Sequence, residues 1–447
     1  MAFQAPRGTH DVLPGEAPAG RDADSRLFHT YKWQALEATF REVCARFGAE
    51  EIRTPVFEDT ALFHRSVGEA TDIVSKETYD LEDRGGDSLT LRPEGTAGVM
   101  RAIVQHGLAG GQNVLLRLYY LNSHFRYERP QRGRYRQHHQ VGVEYVGAED
   151  PMADVEVMAL GMAYLRAIGL DDVRLEINSV GTPTCRPVHR EALRAHLQPH
   201  LSRMSEDSQR RFEANPLRIL DSKDPRDQEF IADAPAMIDY LDEDAANHFA
   251  AVRAGLDNLG IDYTVNRRLV RGLDYYQKTA FEVIHNALGS QNVVLGGGRY
   301  DGLLSALGGP AVGGVGFGSG VERALLILEQ LERPLGERRL AQVYLVAREP
   351  EERSLAQRLA ADLRAAGLRV DYDLQGRSQK AQLRAANNAG CGHVVFVRGD
   401  LEGAAQLKDM GTGTQVEAPI DQMLSLLADH YLAGRHIGGT PMPPRAT

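Results

Sequence analysis

Apolar residues recur at intervals of three and four along the segment from Ser25 to Phe47, at Leu36, Phe40, Val43, Cys44 and Phe47, and Gly48 follows. That spacing lays one apolar stripe along an amphipathic helix, and the glycine supplies its stop. Glu51 to Glu58 reads as extended, but Pro55 cannot donate to a ladder, so an edge strand or a bulge is expected. The stretches LLRLYYLNSHFRYE and QHHQVGVEYVG alternate with a period of two on either side of an arginine-rich segment. They predict an antiparallel hairpin with a long, charged loop.

Residues 151 to 168 read as a helix and Val173 to Val180 as a strand, and roughly 182 to 260 read as mostly helical material. That block has the look of an insertion. Strand character returns at Tyr263 to Val270, Thr279 to His285 and Gln291 to Leu295, and a helix follows Gly320. After the charged connector EQLERPLGERR, AQVYLVA, LRVDYDL and HVVFVRG read as strands alternating with helices over Glu351 to Ala366 and Ser378 to Ala389. Strict alternation predicts a small α/β domain with a parallel sheet. The expected organisation is an α+β core over 1–330, interrupted by the helical insertion 182–260, then a linker at 331–339, an α/β domain over 340–431 and a disordered tail at 432–447.

Composition adds constraints. The chain has 447 residues and a formal net charge of -10, which argues against a general coat for nucleic acid but leaves room for one local basic groove. Gly302 to Val321 is uncharged and long enough to span a bilayer, yet eight of its twenty residues are glycine, so loop, turn and strand are expected and no membrane partner. The amino terminus shows no apolar secretory core, and a cytoplasmic location is expected. Cys44, Cys185 and Cys391 lie too far apart for a disulfide framework or a metal spacing.

The candidate chemistry sits in five segments. Arg126 to Arg136 holds five arginines and one glutamate, with Tyr127 and Tyr135 interleaved. A charged hairpin can be merely a solvated face, but guanidinium forks grip phosphate or carboxylate in bidentate fashion, and five of them suit a nucleotide or a nucleic-acid end. On strands, Arg126 and Glu128 would share a face, as would Gln140 and Glu144. In LVRGLDYYQKTAFEV, Arg271 and Asp274 are either an internal ion pair or functional groups, since unpaired charge in apolar sequence is costly. The glycine triplet of GGGRYDGL reads by itself as a turn, the glycines of GVGFGSGVERALLIL let a backbone approach a ligand closely beside the start of the helix carrying Glu322 and Arg323, and LTLRPEGTAGVMRA places Glu94 and Thr96 where a strand gives way to a helix. There the plain reading is Thr96 as helix cap, and the alternative is recognition of an ammonium group.

Together these segments resemble class II aminoacyl-tRNA synthetases and, more closely, the histidyl-tRNA synthetases. The resemblance runs from RGTHDVLPGE to LKDMGTGTQ. The first helix with Pro55 is similar to motif 1, which in the family forms the homodimer interface, while FRYERPQRGRYRQHHQVGVE is similar to motif 2 and GVGFGSGVERALL to motif 3. RGLDYY and GGGRYDGL are similar to the two histidine signatures, and NPLRILDSK to part of the insertion.

The resemblance implies activation of L-histidine by ATP, with Mg2+ on the outer phosphates, then transfer to the 3′-terminal adenosine of tRNA(His). Two anions must meet while charge develops on phosphorus oxygens, and arginines answer that need. The family pattern assigns Arg126 and Arg271 to the α-phosphate as catalytic residues, Arg323 to the γ-phosphate and Arg134 with Tyr135 to the nucleotide's loop side. It assigns Glu128 to the adenine amino group and His138 to adenine stacking, a place usually held by phenylalanine. An imidazole there could charge near pH 6.5. For histidine, Glu94 and Thr96 would take the ammonium and Gln140 the carboxylate side, with Glu144 and the hydroxyl of Tyr276 on the imidazole and Tyr275 and Tyr300 beside them. Arg129 and Gln131 would meet the acceptor end of the tRNA, and the carboxy-terminal domain its anticodon. No metal ligand set is expected, because His138 and His139 are adjacent on a strand and face opposite ways. Two rival readings share this core: the regulatory subunit of ATP phosphoribosyltransferase, a family without RGLDYY or the last domain, and a class II synthetase for glycine, proline or threonine.

Overall fold

The computed structural model describes residues 3–15, 27–68, 71, 73–111, 114–338, 340–398 and 404–432. The expected tail beyond 432, and the first residues of the helix proposed from Ser25, lie outside the described residues. Two compact units divide the chain, Met1–Glu337 and Arg338–Thr447.

The first unit is built on an eight-stranded sheet. Its strands are β1 (Glu50–Glu51), β5 (Leu116–Phe125), β6 (Gln137–Val146), β7 (Arg174–Ser179), β8 (Tyr263–Val265), β9 (Gln277–Ile284), β10 (Val293–Arg299) and β11 (Gly314–Gly320). The spatial order is β1-β5-β6-β11-β10-β9-β7-β8, antiparallel except at its two outer pairs. A small antiparallel sheet of β2 (Phe57–Asp59), β4 (Ser88–Leu91) and β3 (Tyr79–Glu82) stands apart from it. Pro55 falls between β1 and β2, where the ladder has stopped, so the proline interrupts the extended run instead of edging it.

Helix α1 (Thr30–Arg46) starts later than the apolar spacing suggested and buries Trp33, Leu36, Phe40, Val43 and Cys44. Phe40 meets Tyr119 of β5 and Tyr164 edge-on. Tyr164 belongs to α4 (Met152–Ala167), so α1 and α4 share the covered side of the sheet. Gly48, with φ 67°, lets the chain turn into β1. Helices α2 (Thr60–Val67) and α3 (Thr96–Gln105) flank the small sheet. Between β7 and β8 the chain forms α5 (Arg186–Leu197), α6 (Glu206–Ala214), α7 (Pro225–Ala232) and α8 (Glu243–Asn258), with short 3-10 turns. Leu193, Leu197, Phe212, Ile219 and Phe230 make a separate core for the first three of these. The short α9 (Leu303–Ala306) precedes β11, and α10 (Val321–Gln330) leaves β11 directly.

Two readings need correction here. The strand expected over Tyr263 to Val270 stops at Val265, and residues 266–276 run without a strand partner. The glycine triplet 296–298, read as a turn, lies in the middle of β10, where both faces of the sheet need close approach.

In the second unit, β12 (Val343–Val346), β13 (Val370–Tyr372) and β14 (His393–Phe396) are parallel, with α11 (Pro350–Ala365) and α12 (Gln379–Asn388) as connections. The sheet is not wholly parallel. Strands β15 (Ala404–Asp409) and β16 (Gln415–Pro419) extend it antiparallel, and α13 (Ile420–Leu432) closes over the same face as α11.

Candidate active site

Motif residues converge on one open sheet face. The β5–β6 ladder ends at the pair Phe125 and Gln137, so Arg126 and Glu128 do not keep the strand alternation expected of them. The Arg126 amide still donates to the Arg136 carbonyl at 2.8 Å, and the Glu128 amide then turns back to the Arg126 carbonyl at 2.8 Å. Beyond them the loop closes on a tight exchange between Gln131 and Arg134, at 3.0 and 2.8 Å. Arg129 and Gln131 are exposed at its tip.

A cavity of about 750 Å³ lies against this loop, lined by Arg126, Arg134, His138, Gln140, Arg271 and Arg323, with Glu128, Tyr135, Glu282 and Glu322 also in its wall. Each guanidinium is anchored. Arg126 Nε donates to the Pro93 carbonyl at 2.8 Å, and Arg323 donates to the carbonyls of Val293 at 2.8 Å and Gly133 at 3.3 Å. Arg134 pairs with Glu128. Arg271 pairs with Glu282 of β9, not with Asp274, and its guanidinium lies 5.4 Å from the centre of the Tyr276 ring. It rests on Gly296, where any Cβ would overlap it. Tyr135 is largely a packing residue, edge-on to His10 and Phe28. His138 and His139 do face opposite ways: His138 turns to His124, whereas His139 reaches Glu322 at 2.9 Å and meets Trp33 edge-on. Burial, and then the charge of Arg126, hold the His138 imidazole well below the ordinary histidine range. It is therefore neutral at pH 7 rather than poised to charge.

A smaller pocket of about 80 Å³ adjoins, lined by Glu94, Thr96, Gln140, Tyr275, Tyr276 and Tyr300, with Tyr120, Arg126 and Arg271. Glu94 accepts from the backbone amides of Thr96 and Ala97, both at 2.7 Å, so it caps α3 in place of Thr96. Burial raises its carboxyl, and those two amides oppose the rise. The Thr96 hydroxyl instead donates to Glu144 at 2.7 Å. Tyr300 donates to the other Glu144 oxygen, and Tyr120 adds a bond at 3.3 Å. Glu144 is 1% exposed and sits behind the pocket wall, bonded to residues that form it. Burial pushes its carboxyl up to about 8, against the lowering effect of the Tyr300 and Thr96 hydroxyls. Its side chain lies over Gly316 of the neighbouring strand, and the Tyr276 ring over Gly298, so glycine is the residue type that lets these groups lie flat on the sheet.

Sequence reasoning missed several lining residues. Tyr120 had a signal, since it pairs across β5 and β6 with Gly142, which leaves room for its ring. Glu282 is a polar position inside apolar β9. Arg211, Lys223 and Asp224 of the helical insertion also line the larger cavity; Lys223 ends the NPLRILDSK stretch, while nothing local in the sequence marks Arg211 or Asp224.

Comparisons with known proteins bear on the family of the chain. Residues 8–324 match the family model described as Histidyl-tRNA synthetase, and residues 342–430 match that of an Anticodon binding domain. A protein of Geobacillus thermodenitrificans named Histidine–tRNA ligase is 46% identical over 434 residues, covering 96% of this chain and 99% of that one. One of the same name from Corynebacterium kroppenstedtii is 45% identical over 424 residues, 94% of this chain and 96% of the other. The apo histidyl-tRNA synthetase of S. aureus superposes with a TM-score of 0.78 at 35% identity, over 96% of this chain and 100% of that one. With the arginine-lined cavity, the buried Glu144 cluster and near full-length matches in one chain, this protein belongs to the histidyl-tRNA synthetase family.

Proposed function

We propose that the family's two-step reaction, histidine activation by ATP and transfer of histidine to tRNA, runs in these two adjoining cavities with the side chains described. The chain is an ATP-dependent histidine–tRNA ligase. ATP's phosphates would lie among Arg126, Arg134, Arg271 and Arg323, with adenine near His138 and Glu128. Magnesium would arrive with the nucleotide as part of the substrate, because Glu128, Glu282 and Glu322 already face protein partners. Histidine would enter the smaller pocket, its ammonium toward Glu94 and Thr96 and its carboxylate toward Gln140 and Arg271. The imidazole would point to the Glu144 cluster, where hydroxyls of Tyr300, Thr96 and Tyr120 already meet the carboxylate and would rearrange to admit it.

The carrying observation is the position of Arg271, which lines both cavities. A cation there neutralises the attacking carboxylate and the α-phosphate at once, where two anions would otherwise repel. We further propose a homodimer, with Val56 and Phe57 beside Pro55 exposed for it, and a cytoplasmic location. No helix among the described residues is long and apolar enough to cross a membrane. Arg129 and Gln131 would meet the tRNA acceptor end, and the second unit the anticodon.

ATP–pyrophosphate exchange measured with each of the twenty amino acids tests this reading. Exchange with histidine alone is expected. Exchange with glycine, proline or threonine, or none with any amino acid, would favour the rival synthetases or a histidine-sensing subunit.

A further inference from the structure

The segment 266–276 carries Arg271, Tyr275 and Tyr276, yet no strand pairs with it. Backbone carbonyls away from a ladder still need donors, and here side chains supply them. Asn178 of β7 donates to the Leu269 carbonyl at 3.0 Å. Arg218 donates to the Gly272 carbonyl, and Arg186 to the Tyr276 carbonyl. Asp274 is met by Asn215 at 3.4 Å and by Arg218 at 3.8 Å. Arg186, Asn215 and Arg218 all come from the helical insertion, the last two from its NPLRILDSK stretch.

That stretch is itself fastened. Ser222 bonds to Asp227 at 2.5 Å, and Asp227 also accepts from the amide and hydroxyl of Ser205 and the hydroxyl of Ser208, each at 2.7 Å. Ile219 and Leu220 sit in the insertion's own core, against which Val270 packs. The two charges of RGLD thus go opposite ways: Arg271 to Glu282 in the reaction cavity, and Asp274 to the insertion. Arg218 lines a separate cavity of about 400 Å³ behind the segment and not the reaction cavity.

We propose that Arg218 is a positioning residue for adenylate formation: from the insertion it holds the 271–274 turn, and through that turn the guanidinium of Arg271. The inference rests on the assignment of Arg271 to the α-phosphate. An unpaired turn fixed by charge-assisted bonds can be displaced when one bond is removed, and a misplacement of about 1 Å can cost roughly 10² in rate.

The test is histidine-dependent ATP–pyrophosphate exchange by Arg218→Met, Arg218→Lys, Arg271→Ala and the Arg218→Met/Arg271→Ala double variant. Arg218→Met should lower kcat roughly tenfold or more, with KM for ATP little changed. Lysine should recover part of the loss, since an ammonium can still donate to the Gly272 carbonyl. In the Arg271→Ala background, Arg218→Met should add less than about a twofold loss, because the group it positions is gone. A general structural defect would instead multiply with the first loss. If Arg218→Met lacks a cooperative melting transition, Asp274→Asn takes its place with the same expected coupling. An Arg218→Met or Asp274→Asn rate close to the parent's, or full multiplication in the double variant, overturns the proposal. A near-normal Arg271→Ala rate would overturn the Arg271 assignment itself.

Discussion

Glu144 shows how a single buried group can register its surroundings. Its carboxyl is pushed up to about 8 by burial from an ordinary value of 4.5. The neutral form is the one the fold prefers, so its contribution to stability is complete below about 4.5 and is lost as pH rises through about 8. Glu144→Gln keeps the volume and cannot ionise. Its melting temperature should fall less than the parent's between about pH 5 and about pH 8, as read by thermal denaturation across that range. The same change should weaken histidine binding by about 1 to 3 kcal/mol and leave ATP binding nearly unchanged. Equal losses for both ligands would mean that β6 had been disturbed rather than one acceptor. Glu144 was legible as a candidate from its place on an alternating strand, but its partners were not. Thr96, Tyr120 and Tyr300 lie 48, 24 and 156 residues away, and only the tertiary fold joins them.

At the level of elements, periodicity found what is periodic. The apolar stripe of α1 was readable because the helix buries one face, and β5 and β6 because their residues alternate in type, although β6 is buried on both faces from Val141 to Val146. The glycine triplet of β10 was misread because glycine has no side chain to alternate, although its reason is now plain: Arg271 and Tyr276 lie across it. The segment after Val265 was read as strand because apolar Leu269 and Val270 extend the run past the polar Asn266, Arg267 and Arg268, while the carbonyls of Leu269 and Gly272 are in fact taken by side chains from distant sequence. Strand β16 is largely exposed and β15 mixes small, apolar and charged residues with no strict alternation, so neither carried a clear signal. One consequence concerns Gly296. A Cβ there overlaps the guanidinium of Arg271, the movable end of a flexible side chain, so the fold should tolerate it and the site should not. Gly296→Ala is expected to lower the exchange rate roughly tenfold while leaving the melting transition cooperative and close to the parent's. Equal damage to both would make the glycine a requirement of the sheet alone.

The whole molecule divides into two units at Glu337, and the candidate site lies wholly in the first. A chain ending there should still form histidyl adenylate and charge tRNA poorly, since removing one of two linked binding modules costs effective concentration without touching the chemistry. The salt dependence of tRNA binding should flatten by roughly 0.7 to 0.9 in log slope for each tRNA phosphate that the shortened chain no longer neutralises. Unaltered Michaelis constant and slope would mean that the second unit does not bind the anticodon in this chain. The central claim is that Arg271 neutralises the meeting of carboxylate and phosphate. Its most direct test is histidine-dependent ATP–pyrophosphate exchange by Arg271→Ala beside Arg271→Lys. The account predicts a loss of roughly 10² or more for alanine with histidine binding nearly intact, and partial recovery for lysine, whose point charge lacks the fork. An alanine variant that exchanges at close to the parent's rate would contradict it.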